Sequence, residues 1–469
     1  MQPGAEWGRE YVREVCDVIW DVEVESDLLN WKVAGVYPWP LLRMPIYYAI
    51  TQQRGFFGNP HPTKAETADK FEPPIAAVEV WKSLLTRERR SKGGRTFWMR
   101  WLPGLGRTVL VTHSRKLGGV DIYTDALAKQ LGANSLIVDR APSDTPSGLD
   151  LKSVIELNRS WMKSVSTAAV EAADREKFAA VLHALQVRLS VDLTEFLETF
   201  EHRVTLLARQ STSYRRFFEL AKTKRLFVTD SYFSVALMAG ARAAGVRIIE
   251  LQHGFISRYH LGYSYPRGQQ SPYLADELWT FGQYWIDETP FPQSLKTRVI
   301  GAPYVAQLAQ QHGGASAQRR EGRVVFTSQG AIGEQLLPLA LRAARALPSH
   351  EIIFRLHPSE SREEFEARLS GEIVPANFSL SAREPNIFAL LASADVQVGV
   401  FSTTLLEGMA LGCRTAIVAL PGFEYLDLVV ERGDASIARS ADELVAAIEN
   451  APLAHAPRYF YATPLTRLV

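Results

Sequence analysis

Two patterns of apolar residues alternate along most of the chain beyond residue 105. Short runs rich in Val, Ile and Leu, such as Val109–Val111, Ile248–Leu251 and Val324–Phe326, are typical of strands buried on both faces. Most of them are followed by a stretch in which apolar residues recur three or four positions apart, which is typical of an amphipathic helix. Strands that alternate with helices in this way predict parallel sheets and an α/β fold class.

Breaks in this alternation divide the chain into parts. Residues 1–95 are rich in aromatic residues and lack the alternation, while a connector rich in Gly, Gln and Arg occupies residues 309–323. The expected parts are a helical N-terminal addition (1–95), a Rossmann-like domain with a helical insertion (96–310), a second Rossmann-like domain (320–450) and a C-terminal tail that packs back on the first domain (451–469). We expect the two doubly wound domains to face one another across a cleft.

The composition narrows the class of protein. The chain of 469 residues is 46% hydrophobic and 22% charged, with a formal net charge of +1. These values are typical of a soluble globular protein and give no whole-protein basis for nucleic-acid binding. Its two cysteines, Cys16 and Cys413, lack metal-ligand spacing, so we expect a reducing, cytoplasmic location. We see neither a secretory signal nor an apolar run of membrane-spanning length.

The segment Val36–Ile50 is the most apolar and aromatic part of the N-terminal region. It also contains an arginine and three prolines. We interpret it as a packed segment that lines a core. Docking at the cytoplasmic face of the inner membrane through its Trp, Tyr and Leu side chains stays open as an alternative.

Polar residues follow several predicted strands, which is where ligands bind in α/β sheets. Neither domain begins with the glycine pattern of a dinucleotide site or of a P-loop. Arg355 and His357 alternate with apolar residues, so both project from one face of their strand. Two donors at one strand end can clamp a phosphate or a diphosphate, with the arginine as a fork. An ordinary strand-end histidine beside a surface arginine is the alternative.

The helix that follows Phe401 is a second candidate for phosphate binding. Ser402 or Thr403 is expected to cap this helix, whose first backbone N–H groups attract an anion. Glu407, about one turn further along, could accept hydrogen bonds from two ribose hydroxyls. Gly408 would let the helix approach its neighbours closely. The alternative is a plain N-cap with a surface glutamate.

The first domain carries polar residues after the strand Ile248–Leu251. Gly254 permits tight backbone passage, so the imidazole of His253 can point into a cleft. His253 is a candidate general acid or base or a phosphate donor, and a satisfied core histidine is the alternative. Arg258 and His260 add hydrogen-bonding capacity to the same loop.

The loop that follows Val109–Val111 holds a second candidate base. His113, Gly119 and Asp121 lie where an acceptor would meet the cleft. Asp121 could deprotonate an acceptor hydroxyl, or it could merely cap the helix that begins near Ile122.

These strand-end residues resemble those of the GT-B glycosyltransferases that assemble bacterial capsule and lipopolysaccharide. The match consists of Gln252–Gly254, then His357–Pro358, then Ser402–Thr403 with Glu407, and covers roughly residues 105–425. Polymerising sialyltransferases and teichoic-acid glycerophosphate transferases have a similar HP and Ser-pair arrangement. The chain departs from the family pattern because it has Ser-Thr-Thr in place of a Ser pair and no clear acidic D/E-D/E-G motif.

The resemblance implies that the second domain holds a nucleotide-activated sugar, CMP or CDP in preference to UDP, GDP or dTDP, and that a glycan or lipid-linked acceptor docks on the first. The expected site residues are His357, Arg355, Ser402, Thr403 and Ser328 for the donor phosphates, Glu407 and Glu384 for the ribose and base, His113, Gly119, Arg258 and His260 for the acceptor, and His253 or Asp121 for catalysis. No cofactor and no metal are expected, since the chain has no D-x-D motif. The implied reaction is an in-line, inverting displacement at the anomeric carbon.

Two alternatives share this architecture. A 2-epimerase-like enzyme would convert a nucleotide sugar without any acceptor, and it would need several acidic residues in the cleft. A catalytically inactive protein of the same fold would bind a glycan or a nucleotide without turning it over.

Overall fold

The structure, a computed structural model, describes residues 7–55, 107–113, 116–117, 120–131, 135–139, 149–150, 168–312, 319–330, 332–382 and 386–469. Two parallel sheets dominate it, one of seven strands and one of six, and helices connect most of their strands. The described part of the N-terminal region, residues 7–55, forms helices, apart from one isolated bridge between Val33 and Val36. The predicted α/β class, with two doubly wound sheets and a helical N-terminal addition, is confirmed.

The N-terminal addition contains α1 (Tyr11–Glu25) and α2 (Trp39–Gln53), which pack against the first half of the chain. Arg43 of α2 is buried, forms an ion pair with Glu23 of α1 and donates to the backbone oxygen of Ser264 at 3.1 Å. A buried charge is tolerated because its hydrogen-bonding groups are satisfied in this way. Most apolar side chains of α2 are buried, so the interpretation of Val36–Ile50 as a packed segment is confirmed. Among the described residues, no helix combines the length and the apolar character needed to cross a bilayer.

The strands of the first half are β1 (Thr108–Val111), β2 (Lys116–Leu117), β3 (Val120–Asp121), β4 (Leu136–Asp139), β5 (Leu149–Asp150), β6 (Arg225–Val228), β7 (Arg247–Leu251), β8 (Glu277–Thr280) and β9 (Lys296–Val299). β2 and β3 form a small antiparallel pair. The others form one parallel sheet in the order β5-β4-β1-β6-β7-β8-β9. Because the chain adds β4 and β5 on one side of β1 and then returns to its other side, the switch in strand order lies between β1 and β6.

The helices of the first half connect these strands. They are α3 (Asp125–Leu131), α4 (Ala172–Leu189), α5 (Thr194–Ala221), α6 (Val235–Ala243), α7 (Tyr284–Glu288) and α8 (Pro303–His312). α5 packs extensively on α6, where Gly240 allows close approach: a Cβ at that position would lie 2.5 Å from Cβ of Tyr214. The predicted helical insertion is represented by α4 and α5, and its first residues lie outside the described ranges.

The second half repeats the same design. Its strands are β10 (Arg323–Thr327), β11 (Glu351–Arg355), β12 (Phe378–Ser381), β13 (Val396–Gly399), β14 (Arg414–Val418) and β15 (Ser436–Ala438). Its helices are α9 (Gly333–Ala346), α10 (Arg362–Leu369), α11 (Ile387–Ser393), α12 (Thr403–Ala410), α13 (Asp427–Glu431), α14 (Leu444–Glu449) and α15 (Pro457–Phe460). All neighbouring strands are parallel, in the order β12-β11-β10-β13-β14-β15. The switch in strand order therefore lies between β10 and β13.

Both sheets are buried on their two faces. In the first sheet Leu226 and Val228 belong to the main core, whereas Phe227 between them belongs to a separate cluster on the opposite face. In the second sheet Val324 and Val325 are divided in the same way. Successive side chains of a strand point to opposite faces, so an unbroken apolar run is what a sheet covered on both sides requires.

The last residues of the chain return to the first half. The indole N–H of Trp285 donates to the backbone oxygen of Phe460 at 2.8 Å, and Ala462 N–H donates to the backbone oxygen of Phe281 at 2.8 Å. Gly282 makes this contact possible, since a Cβ there would lie 2.3 Å from the backbone oxygen of Tyr459. The segment 457–469 is thus packed on the first half of the chain, although it follows the second sheet.

Helix α1 contacts both halves. The side chain of Arg13 donates to the hydroxyl of Tyr259 at 2.7 Å in the first half and pairs with Asp427 at 3.0 Å in the second. The backbone N–H of Val12 donates to the Glu424 carboxyl at 2.8 Å. The N-terminal addition therefore joins the two sheets to one another.

Candidate functional site

Three polar side chains meet at the switch point of the first sheet. His113, Asp230 and His253 each lie two residues beyond the end of a strand, and the strands β1, β6 and β7 are neighbours. Nε2 of His113 is 3.2 Å from one oxygen of Asp230, and Nε2 of His253 contacts the other oxygen. The two imidazole rings are stacked, with centroids 5.1 Å apart. One carboxylate thus holds two imidazoles in fixed orientations.

Asp230 is the member of this cluster that the sequence-based prediction missed. Its backbone has φ of 54°, in the left-handed region that costs most residues roughly 1 kcal/mol and that Asp tolerates better than most. Its carboxylate is about 10% exposed, which leaves it reachable from the cleft. The sequence pattern could have identified Asp230, because it follows the apolar run of β6 just as His113 follows β1 and His253 follows β7.

Aromatic rings surround the cluster of His113, Asp230 and His253. The ring of Tyr123 packs edge-on against His113 at 5.0 Å, and the ring of Tyr232 lies 6.1 Å from that of His253. His260, expected to bind the acceptor, lies behind Tyr232 at 4.9 Å, and its Nδ1 accepts from Gly262 N–H at 3.2 Å. Burial lowers the pKa of His260 to about 3, so this ring is neutral and serves as packing.

Asp121 is a capping residue. Its carboxylate accepts backbone hydrogen bonds from His113 at 2.7 Å and from Tyr123 at 2.9 Å, and a further bond from the Thr124 hydroxyl. These bonds hold the loop after β1 and the turn before α3 together. Of the two roles expected for Asp121, the contacts favour the cap and do not support the catalytic base.

Arg258 is committed to an ion pair. Its guanidinium forms two hydrogen bonds to the buried carboxylate of Glu288, at 2.9 Å and 3.0 Å, and reaches Glu431 of α13 at 3.6 Å. Burial raises the pKa of Glu288 to about 7 although Arg258 opposes the shift. These contacts favour a structural role in which Arg258 neutralises Glu288 and links the two halves, while the acceptor-binding role stays a prediction.

The switch point of the second sheet has the predicted helix cap. The Ser402 hydroxyl accepts from Thr404 N–H at 3.2 Å, and Thr403 is the first residue of α12. The side-chain oxygen of Gln329, which follows β10, accepts from Phe401 N–H at 3.1 Å. This bond links the loop after β10 to the loop after β13 and holds the first turn of α12 at the carboxyl end of the strands. The prediction that Ser402 or Thr403 caps the helix is confirmed for Ser402.

Arg355 and His357 lie on the neighbouring strand end. The Arg355 guanidinium donates to the Ser381 hydroxyl at 3.0 Å, and Nδ1 of His357 is 2.7 Å from the Ser359 hydroxyl. His357 is exposed and lies beside Gly330, where a Cβ would be 3.7 Å from its Nδ1. Residues 329 and 330 thus form a bridge between His357 on one side and the start of α12 on the other.

Ser328 is bound to a neighbouring carboxylate. It is buried, and its hydroxyl donates to the Glu360 carboxylate at 2.7 Å. The other oxygen of Glu360 accepts from His357 N–H at 2.6 Å, and a Cβ on Gly333, the first residue of α9, would collide with this carboxylate. A carboxylate near the start of a helix is favourable. The contact with Glu360 does not support a bond from the Ser328 hydroxyl to the donor phosphates, and that role stays a prediction.

Glu407 connects the two switch points. It is 6% exposed, and its carboxylate accepts from the Tyr304 hydroxyl at 3.1 Å. Tyr304, at the start of α8, packs edge-on against Tyr123 at 5.6 Å, and Tyr123 in turn contacts His113. Burial, followed by the charge of Glu407, raises the pKa of Tyr304 well above its ordinary value, so its hydroxyl stays a donor. The ribose-binding role of Glu407 stays a prediction.

Two expected site residues, Gly119 and Glu384, lie outside the described residues. The expectation for Gly408, by contrast, is confirmed. A Cβ on Gly408 would lie 2.0 Å from the side-chain oxygen of Gln397, so only glycine allows α12 to lie this close to β13.

Comparison with known proteins gives no family. No family model matches the chain, and no curated protein matches it in sequence. Among solved structures it is similar to the UDP-GlcNAc 2-epimerase from Methanocaldococcus jannaschii (10% identity, 73% of this chain and 91% of that chain, TM-score 0.43), the spinosyn rhamnosyltransferase SpnG (14%, 74% and 91%, 0.39) and MurG from Acinetobacter baumannii (13%, 75% and 93%, 0.40). Since these TM-scores are below 0.5, we draw no conclusion about the reaction from them.

Proposed function

We propose that the protein is a glycosyltransferase that moves a sugar from a nucleotide-activated donor to a glycan or lipid-linked glycan of the bacterial surface. The observation that carries this proposal is the placement of polar side chains at the switch points of two doubly wound sheets, joined through Tyr304 and Glu407. Such switch points are where nucleotides bind in this class of fold. The order of the QHG, HP and Ser-Thr segments supports the choice of a surface polysaccharide as acceptor.

The donor is proposed to bind on the second sheet. Its phosphates would lie at the first turn of α12, near Ser402 and Thr403, with His357 and Arg355 on the neighbouring strand end. Backbone N–H groups at a helix start and a nearby guanidinium suit a diphosphate or a phosphodiester. Glu407 is proposed to hold the ribose, and the preference for CMP or CDP rests on the sequence resemblance alone.

The acceptor hydroxyl is proposed to be activated on the first sheet. In the reaction the acceptor oxygen bonds to the anomeric carbon, the bond from that carbon to the donor phosphate breaks, and the hydroxyl proton leaves. His253 is the proposed proton acceptor through Nε2, since its Nδ1 is buried, and Asp230, which contacts Nε2, fixes the ring and would stabilise the imidazolium that forms. The donors at α12 would stabilise the growing charge on the departing phosphate.

The donor site can be tested by ligand-induced changes in melting temperature. A panel of CMP, CDP, UDP, GDP and dTDP should raise the melting temperature for the preferred nucleotide, since a ligand that binds only the folded state stabilises it. Replacing His357 with Ala should lower the affinity for that nucleotide by about tenfold or more, because a hydrogen bond to a charged group is lost. His350→Ala is the matched control, since His350 lies at the opposite end of β11. Equal effects of the two variants would contradict the proposed donor site.

The two alternatives are separated by product analysis. A 2-epimerase-like enzyme would convert a pure nucleotide sugar when no acceptor is present. A glycosyltransferase would leave the configuration at C2 unchanged, would invert the anomeric carbon only in the transfer itself, and would release the nucleotide only when an acceptor is added. A protein that binds nucleotide but releases none with any acceptor would fit the inactive alternative.

A further inference from the structure

We propose that His113, Asp230 and His253 bind one divalent transition-metal ion. Their ligand atoms all lie within 4.8 Å of one another, and each side chain can offer one. Two imidazole nitrogens and one carboxylate form a donor set used by zinc and by non-haem iron, in which the remaining positions stay open to substrate. The binding of the ion is independent of the proposed function, and only its use in sugar transfer rests on that function.

The separation of the ligand atoms suits a metal ion. Bonds of about 2.0–2.2 Å in a tetrahedral site place neighbouring ligand atoms about 3.3–3.6 Å apart. Nε2 of His113 is 3.2 Å from Asp230, and Nε2 of His253 approaches the other oxygen of the same carboxylate. Small rotations of the three side chains would centre an ion between them.

The side chains are held by rigid elements. The strands β1, β6 and β7 are hydrogen-bonded neighbours, so the three positions that follow them have fixed spacing. The left-handed backbone of Asp230 and the edge contact of Tyr123 on His113 orient two of the ligands further. Each ligand side chain is between 10% and 14% exposed, so an ion and a substrate can both reach the site.

The chemistry of the donors selects the ion. Imidazole nitrogen suits zinc, iron, cobalt and nickel, whereas magnesium and calcium prefer oxygen ligands. An ion in this position would bind the acceptor oxygen and lower the pKa of its hydroxyl, and the hydroxyl proton would leave to solvent water, since His253 would then be a ligand of the ion.

The first measurement uses the purified full-length chain without nucleotide or acceptor. The protein is stripped with a chelator, titrated with Zn²⁺ in a calorimeter and, separately, with Co²⁺ in a visible spectrometer. We expect about one Zn²⁺ per chain and cobalt spectra of a low-coordinate site with nitrogen ligands. Mg²⁺ should not compete. No binding of Zn²⁺ or Co²⁺, or competition by Mg²⁺, would overturn the proposal and leave a hydrogen-bonded cluster only.

Variants identify the ligands. Asp230→Asn and His253→Gln should each weaken Zn²⁺ binding about tenfold or more. His455→Gln is the matched control, because Nδ1 of His455 is 2.9 Å from Asp434 but, within the described ranges, no second histidine completes that pair. If the ligand variants bind Zn²⁺ as tightly as the control does, the proposal is wrong. Should a ligand variant fail to fold, the cobalt spectrum of the wild-type protein still decides, since spectra with oxygen ligands alone would contradict the assignment.

The use of the ion in transfer has its own readout. If transfer is observed, metal-depleted protein should lose it, and Zn²⁺ or Co²⁺ should restore it. Transfer that persists in the depleted protein would assign activation to His253 alone while leaving the binding result intact. Absence of transfer under all conditions would contradict the proposed function without touching the binding site.

Discussion

At the scale of single residues, Glu360 places a negative charge where the donor phosphates are proposed to lie. Its carboxylate is held by the Ser328 hydroxyl and by His357 N–H, both at the second switch point. We expect Glu360→Gln to bind the preferred nucleotide several-fold more tightly, because removal of a nearby like charge favours an anion. Isothermal titration with that nucleotide measures the change.

The control for this charge effect is Glu321→Gln. Glu321 lies in the turn before β10, at the opposite edge of the same sheet, and carries the same charge. It should leave nucleotide affinity unchanged. Weaker binding by Glu360→Gln would mean that the carboxylate positions His357 for the ligand and does not oppose the ligand's charge.

Residue-scale prediction from the sequence succeeded where position alone decides. His113 and His253 were identified because a polar residue after an apolar run marks the edge of a sheet. It is weaker where a distant partner decides, as for Arg258, which pairs with Glu288, a residue 30 positions away. For Asp121 the partners are local, and the cap that the sequence offered as an alternative is the arrangement that the contacts favour. Nothing in a linear pattern shows which of its available partners a charged side chain will reach.

At the scale of secondary-structure elements, the close packing of α12 on β13 depends on Gly408. Gln397 cannot make room for a Cβ, because its amide donates to the Leu405 backbone oxygen at 2.5 Å and to the Thr415 hydroxyl at 2.9 Å. We expect Gly408→Ala to lower the free energy of unfolding by about 1–3 kcal/mol, even though alanine favours helices. Urea denaturation measures the loss.

Gly371→Ala provides the comparison for this substitution. Gly371 follows α10, and a Cβ there would meet no atom within 4 Å. The free energy of unfolding of the Gly371→Ala variant should stay within about 0.5 kcal/mol of the wild-type value. Because α12 also carries Ser402 and Glu407, Gly408→Ala should weaken nucleotide binding as well. A variant as stable as Gly371→Ala would show that α12 can shift without cost.

Prediction of the elements was largely successful because the apolar runs are unbroken. Both sheets are covered on two faces, so nearly every residue of a central strand is apolar and the strands stand out from the amphipathic helices. The Ser402 cap followed from residue type and position. The pairing of α5 with α6 through Gly240 was not foreseen, since a small residue inside a helix does not reveal its neighbour.

At the scale of the whole molecule, Glu424 makes the stability of the contact between α1 and the second half depend on pH. It is buried, and it accepts from the first turn of α1 through Val12 N–H. Burial raises the pKa of its carboxyl to about 7. Between the ordinary value of 4.5 and about 7, the unfolded chain releases a proton that the folded chain keeps, so stability decreases as pH rises through this window.

The substitution Glu424→Gln should remove this pH dependence of the free energy of unfolding. We expect the variant to match the wild type near pH 4.5 and to be more stable at pH 8, by an amount on the order of 3 kcal/mol. Melting temperatures measured across the pH range test this, with Glu176→Gln on the exposed face of α4 as the control. A difference between Glu424→Gln and wild type that does not vary with pH would contradict the assignment.

The return of the C-terminal segment to the first half means that the backbone runs between the sheets twice, once after α8 and once before α15. With a single crossing, rotation about it would be restrained only by side-chain contacts and by α1. Two crossings hold the sheets at two points, so the relative movement they favour is a hinge motion about the line that joins them. Cleavage of the chain within either crossing should therefore permit twisting between the two sheets that the intact chain resists.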